Sequence, residues 1–278
     1  MAKKYEYEKV KKFSDQYLDE RRLREMGRDG WQLISESCDY FTFAREVEDE
    51  VEDYQYVRAE VPYRSPIQEF EIDEETQEFE IDEGVLIKYR GKDKNVIIPD
   101  CVVEIGERAF KWCSTLTDIT IPSTVKSIGE GAFDGCGKLQ KVIISDGVTK
   151  IGANAFERCE SLEEIVIPNS VNSIGKSAFR NCESLETVTL SNEITEINDD
   201  TFYGCKSLSN IIIPDGVEEI GSCAFMDCKK LKSITIPDSV EDIGIMAFYD
   251  CKKLTIHAHA GSYAEEYAAK ERIAFESM

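Results

Sequence analysis

A 23-residue repeat constrains the fold of this 278-residue chain more than any other feature of its sequence. Phenylalanine, cysteine and leucine each return at the same position over seven consecutive periods. The three columns are Phe110, Phe133, Phe156, Phe179, Phe202, Phe225 and Phe248; Cys113, Cys136, Cys159, Cys182, Cys205, Cys228 and Cys251; and Leu116, Leu139, Leu162, Leu185, Leu208, Leu231 and Leu254. A constant period is the signature of a solenoid, in which each repeat forms one coil that buries its apolar edge only against neighbouring coils.

The apolar positions within one period predict the path of each coil. The blended pattern is I-P-x-x-V-x-x-I-G-x-x-A-F-x-x-C-x-x-L-x-x-I-x. Its alternating part predicts a short strand that directs Ile119 and Ile121 inward and Asp118 and Thr120 outward. A turn at the glycine of each period, here Gly129, brings the alanine and phenylalanine into the interior from the opposite side. Stacking at about 4.8 Å per coil then gives a continuous core and parallel strand ladders.

These residues resemble the BspA-type leucine-rich repeats, a family named for a bacterial surface antigen. The resemblance covers about residues 79–275, where Ile-Pro, Ile-Gly, Ala-Phe, Cys and Leu recur together in most periods. It implies a leucine-rich-repeat solenoid, β-dominated with short turns or 3-10 segments, capped by an N-terminal hairpin and by a C-terminal helix with a final strand. It also implies protein binding, including adhesion to host proteins in surface-exposed members.

Four residues depart from the repeat. Ser145 and Ser191 replace the proline that ends the strand, Asn198 replaces the glycine, and Thr201 replaces the alanine. Two of these changes fall close together in the segment NEITEINDDTF. We therefore expect the fifth coil to bend or loosen locally.

Charge and pattern divide the chain into three parts. Residues 46–84 contain 16 acidic and 2 basic residues, a large share of the net charge of −22. We predict a small α+β domain with the order β-α-β-β over residues 1–48, an acidic linker over residues 49–78, and the solenoid with its caps over residues 79–278. The first part resembles a small bacterial domain of unknown function with a Gly-Trp-Glu-Leu-like signature, in which Gln32 here replaces the glutamate.

The composition argues against several classes of function. The acidic excess disfavours nucleic acid and anionic lipid as partners, and no apolar run is long enough for membrane insertion. Only two histidines are present, His257 and His259, and no C-x-x-C pair occurs. We predict no catalytic residues, no cofactor and no metal site. Without a recognisable signal peptide we expect a cytoplasmic protein, with the cell surface as the alternative.

The ten cysteines are predicted to be reduced thiols. The seven in the column are interpreted as small buried hydrophobic residues, because free cysteine is among the most buried residue types. Cys38, Cys101 and Cys223 lie off the column and are expected to be the more reactive ones.

The outward positions of the strand ladder form the candidate functional site. They are Asp118, Thr120, Lys141, Ile143, Glu164, Val166, Thr187, Thr189, Asn210, Ile212, Ser233 and Thr235. Strand propensity alone explains β-branched residues there, but the same residues also form a mildly apolar stripe with polar rims, typical of a solenoid's binding surface. We predict a non-enzymatic scaffold that binds a protein through this face, as a monomer or weak oligomer. The alternatives are a surface adhesin exported without a recognisable signal, and a small-molecule-binding N-terminal domain with the repeats as a spacer.

Overall fold

The structure is a computed structural model that describes residues 4–11, 32–36, 40–47 and 78–278. The chain forms two compact units, residues 1–77 and 78–278. In the first unit, strands β1 (Lys4–Lys11), β2 (Gln32–Glu36) and β3 (Tyr40–Val47) form an antiparallel sheet in the order β1-β3-β2. The predicted helix of this unit and the predicted acidic linker lie outside the described residues.

The second unit is a solenoid whose coils each contribute strands to two parallel ladders. It begins with an antiparallel hairpin of β4 (Phe79–Asp82) and β5 (Val85–Tyr89). The long-strand ladder contains β6 (Asn95–Ile97), β8 (Asp118–Ile121), β10 (Lys141–Ile144), β12 (Glu164–Val166), β14 (Thr187–Thr189), β16 (Asn210–Ile212), β18 (Ser233–Thr235) and β20 (Thr255–Ala258). The short-strand ladder contains β7 (Glu104–Ile105), β9 (Ser127–Ile128), β11 (Lys150–Ile151), β13 (Ser173–Ile174), β15 (Glu196–Ile197), β17 (Glu219–Ile220) and β19 (Asp242–Ile243).

A helix and a last strand close the C-terminal end. Helix α1 (Tyr263–Glu271) begins at Ser262, whose side-chain oxygen accepts a hydrogen bond from the backbone N–H of Glu265 at 3.3 Å. Strand β21 (Ala274–Ser277) then pairs in parallel with β20. The predicted solenoid, its N-terminal hairpin and its C-terminal helix are thus confirmed. Among the residues that the structure describes, no helix is long and apolar enough to cross a membrane.

A stack of aromatic rings fills the centre of the solenoid. The seven phenylalanines of the repeat lie one above another, with 4.9 to 5.6 Å between neighbouring ring centroids. Tyr89 continues the stack at the N-terminal end and Tyr267 closes it at the C-terminal end. Since the 23-residue register alone decides which rings meet, the sequence period translates directly into the packing of the core.

The cysteine column has a role beyond filling space. In six coils the cysteine Sγ donates a hydrogen bond to the backbone carbonyl of the phenylalanine 26 residues earlier, at 3.0 to 3.4 Å. That carbonyl lies in the preceding coil, so each thiol links two coils. Burial raises the pKa of Cys159, Cys182, Cys205 and Cys228, in Cys182 to about 12. They are therefore neutral donors at ordinary pH.

Two cysteines correct the expectations for this residue type. Cys113, the first of the column, is only half-buried, and its side-chain hydrogen bond with Cys136 lowers its pKa. It lies at the N-terminal end of the column. Cys101 is disulfide-bonded, so the expectation of ten reduced cysteines is wrong at this residue. Cys223, also off the column, is a half-buried free thiol.

Both ladders are interrupted before the fifth coil. No ladder pairing joins β13 to β15 or β14 to β16. In other coils a glycine at this corner donates its backbone N–H to the preceding coil, and a Cβ on it would lie 2.4 to 2.8 Å from backbone atoms there. Asn198 carries such a Cβ and instead reaches the carbonyl of Ile174 through its side-chain Nδ2, at 3.0 Å. The space that this Cβ needs accounts for the interruption of the short-strand ladder at this corner, and the loss of ladder pairing is in the direction expected for this coil.

Candidate functional site: the outward face of the long-strand ladder

Strand alternation places the twelve predicted residues on one face. The residue between each outward pair is directed into the core, for example Ile165 between Glu164 and Val166. Pairing in a 23-residue register aligns equivalent residues of neighbouring coils into two columns, apart from the interruption between β14 and β16. Eight of the twelve are exposed: Lys141, Ile143, Glu164, Val166, Thr187, Thr189, Asn210 and Ile212. The other four, Asp118, Thr120, Ser233 and Thr235, are half-buried.

The exposed aliphatic side chains are the most distinctive feature of this face. Ile143 is 44 % exposed, Val166 52 % and Ile212 71 %. Ile97 extends the same column toward the N-terminal end of the solenoid and is also exposed. These β-branched side chains favour the strand conformation, but their apolar surface stays in contact with water in the free protein.

A shallow groove of about 770 Å³ runs over β8, β10, β12 and β14. Ile143 and Val166 lie on its floor, and Asp118, Lys141, Glu164 and Thr187 also line it. The groove is wider than the predicted stripe because it includes residues just before each strand. Those residues are Gln140, Glu163 and Glu186.

The sequence analysis missed these three residues. They occupy the position immediately before the strand, which is neither inward nor outward in a strict alternation. The available signal was their column: Gln140, Glu163 and Glu186 are 23 residues apart and none is apolar, which marks a solvent-facing position. Of the residues that the structure describes, none forms an ion pair with Glu163, Glu164 or Glu186. One wall of the groove is therefore acidic and uncompensated.

The two histidines do not converge on a common point. The Nδ1 atom of His257 lies 3.6 Å from Glu276 Oε2, and that of His259 lies 2.9 Å from Asp238 Oδ2. Over residues 78–278 and the three N-terminal strands, no group of three or more histidine, cysteine, aspartate or glutamate residues is arranged to hold a metal ion.

Comparisons with known proteins agree with the repeat and with the coil geometry. A family model described as a BspA type leucine rich repeat region matches residues 88–209 and 195–267. A crystal structure of a leucine-rich repeat protein from T. pallidum is 31% identical, with 69% of this chain and 89% of that chain covered and a TM-score of 0.60.

Two leucine-rich repeat proteins from Bacteroides are also similar. The one from B. ovatus is 26% identical, covering 81% of this chain and 77% of that chain, with a TM-score of 0.36. The one from B. capillosus is 30% identical, covering 38% and 84%, with a TM-score of 0.34. Among curated proteins, no sequence similar to this chain was found. The family match extends over most of the solenoid, and the chain belongs to the BspA-type leucine-rich repeat family.

Proposed function

We propose that the chain is a non-enzymatic protein-interaction scaffold that binds its partner on the outward face of the long-strand ladder. The observation that carries the proposal is the column of exposed aliphatic residues Ile143, Val166 and Ile212. Burying apolar area is favourable by roughly 25 cal/mol per Å². A partner that covers this column therefore gains binding free energy from side chains that the folded chain leaves exposed to water. The polar column beside it would form the rim that protein interfaces commonly have.

The rigidity of the face supports the same proposal. Each strand is fixed by its neighbours and by the packed core beneath, so its outward side chains lose little backbone entropy when a partner binds. The acidic wall at Glu163, Glu164 and Glu186 favours a partner segment with basic residues next to apolar ones.

The test replaces two residues of the apolar column, Val166→Glu together with Ile212→Glu. With the tagged full-length chain as bait in lysate of the native cells, a captured partner should bind this variant about 30-fold more weakly, since buried charges would be left without partners. The matched control is Asn172→Glu with Thr195→Glu, two exposed residues that precede strands of the short-strand ladder. The control should bind like the wild type.

Thermal melts separate a lost interface from a damaged fold. Val166 and Ile212 are exposed, so each substitution should change the free energy of unfolding by no more than about 0.5 kcal/mol. If the recovered partner binds the double variant as tightly as the wild type, the proposed binding face is wrong.

A surface adhesin is the second candidate, and Cys101 favours it. Cys101 is disulfide-bonded, and disulfides persist mainly in oxidising compartments. Exposure at the cell surface can be measured by treating intact cells with a protease that cannot enter them. Loss of the chain from intact cells, with a cytoplasmic marker protein untouched, would support the adhesin. Protection of the chain until the cells are lysed would support a cytoplasmic scaffold.

A further inference from the structure

From β12 to β20, charged residues between each column cysteine and the long strand that follows it are sorted by sign along the solenoid. The segments leading to β12 and β14 carry an acidic block of Glu160, Glu163, Glu183 and Glu186, and Glu164, the first residue of β12, extends it. The turns leading to β16, β18 and β20 carry a basic block: Lys206, Lys229, Lys230, Lys232, Lys252 and Lys253. Both blocks border the outward face of the long-strand ladder. In a chain with a net charge of −22, six lysines grouped on one edge need an explanation.

Most of this charge is not compensated within the solenoid. Glu183 and Lys206 pair where the blocks meet, at 2.6 Å. Lys229 and Lys252 contact aspartates of their own turns, but the Lys252 side chain is 81% exposed. Glu160, Glu186 and Lys232 are exposed and form no ion pair within residues 78–278. The acidic block and the basic block therefore lie side by side on this edge, and most of their charges have no ion-pair partner within the solenoid.

We propose that a second copy of this chain docks on this face in the antiparallel direction, with a two-fold axis along β16. The inference rests on the proposed function, because it names one partner of the same face. A two-fold interface is self-complementary, so a contact from residue i to residue j is repeated from j to i. An edge that is acidic on one side of the axis and basic on the other meets that requirement.

The column positions make the complementarity specific. An axis along β16 sets the coil of β14 opposite that of β18, and the coil of β12 opposite that of β20. Because the rotation keeps each residue in its own column, Glu183 lies opposite Lys229, Glu186 opposite Lys232, and Glu160 opposite Lys252. Each of these opposed pairs has opposite charges, and in the pair of Glu186 and Lys232 neither side chain has an ion-pair partner within residues 78–278, whereas Glu183, Lys229 and Lys252 also contact an opposite charge of their own chain.

An apolar contact falls at the axis itself. Ile212 of β16, 71% exposed, would meet Ile212 of the second copy. Lys206, which also lies at the axis, is already neutralised by Glu183 of its own chain. The five coils from β12 to β20 span only about 24 Å at 4.8 Å per coil, so the area is small and the dimer belongs to the transient class.

The experiment is sedimentation equilibrium of the full chain in about 150 mM salt. At this ionic strength the Debye length is about 8 Å, which screens the long-range repulsion between two acidic chains while close pairs persist. The wild type should show a concentration-dependent dimer. Glu160→Lys with Glu186→Lys should raise the dissociation constant at least about tenfold, and so should Lys232→Glu with Lys252→Glu.

An equimolar mixture of these two variants is the decisive sample. Each variant alone opposes like charges, whereas the mixture opposes only unlike ones, so it should recover the wild-type dissociation constant. The control Glu218→Lys with Glu241→Lys changes two exposed glutamates before short strands and should dimerise normally. Melting curves of all variants check that they fold.

The remaining outcomes overturn the inference. A chain that stays monomeric at every concentration refutes it, as does a dimer that survives both charge reversals or a mixture that fails to recover. Such a result leaves the proposed function standing if Val166→Glu with Ile212→Glu still weakens the binding of a different captured protein. If that double variant binds the captured protein normally while the dimer behaves as expected, the general scaffold role fails and the self-association stands.

Discussion

Truncation of Phe179 to alanine should both destabilise the solenoid and divide it into two unfolding units. The ring is fully buried, between Phe156 at 5.4 Å and Phe202 at 5.6 Å. Removing a buried phenylalanine side chain costs about 3–5 kcal/mol. The loss of two stacked contacts, each worth about 0.5–1.5 kcal/mol beyond burial, places the expected cost near the upper end of that range.

The division into two unfolding units follows from the position of Phe179 in the stack of coils. No ladder pairing crosses from β13 to β15 or from β14 to β16, so the two parts are coupled by side-chain packing, including the Phe179–Phe202 contact, and by backbone hydrogen bonds in the turns, such as the one from Phe179 N–H to the Thr201 carbonyl at 2.9 Å. In a solenoid, coils are coupled only to their nearest neighbours. A cavity at this junction should therefore allow the C-terminal coils to unfold at a different urea concentration from the N-terminal coils.

Phe133→Ala is the matched control. Its ring is equally buried, at 4.9 and 5.1 Å from its neighbours, but both ladders are continuous across it. It should lose a similar free energy of unfolding without splitting the transition there. Hydrogen exchange followed by mass spectrometry, at increasing urea, reports each group of coils separately. A cost below about 1 kcal/mol for Phe179→Ala, or a split transition for Phe133→Ala alone, would refute the reasoning.

Two further predictions concern the thiols and the interrupted coil. Burial raises the pKa of Cys182 from 9.0 to about 12, and the buried thiols around it shift the same way, so the folded state binds protons that the unfolded state loses. These groups should leave the free energy of unfolding unchanged below pH 9 and lower it between about pH 9 and 12. A free energy of unfolding that rises over that pH range would contradict the assignment. A thiol reagent added to the folded protein should label Cys113 and Cys223 first. Asn198→Gly should restore the close approach seen at the other corners, making the backbone amide at residue 198 exchange more slowly, although glycine itself costs about 0.5–1 kcal/mol. Faster exchange there would show that Asn198 is not the cause of the interruption.

Much of the fold could be predicted from the sequence because the period decides the neighbours. Once Phe156, Phe179 and Phe202 are 23 residues apart, a stack of rings follows without any knowledge of the rest of the chain. The loosening at Asn198 was predictable for the same reason, since a Cβ cannot occupy a corner where backbones nearly touch. The inward and outward positions followed from strand alternation.

Other features depend on geometry that a linear pattern does not contain. Glu163 and Glu186 line the groove although they precede their strands, and an alternation rule stops at the first strand residue. The hydrogen bond from the Cys182 thiol to the carbonyl of Phe156 needs the path of the turn between them. The disulfide of Cys101 could not be predicted because it does not follow the repeat.

The thiol-to-carbonyl bond has a consequence for how a gene of this kind can change length. Each cysteine requires only a phenylalanine carbonyl in whichever coil precedes it, and the spacing is constant from Cys136 to Cys251. Adding or deleting 23 residues leaves every such bond satisfied, because each coil still lies against an equivalent coil. Length can therefore change in whole coils at little cost.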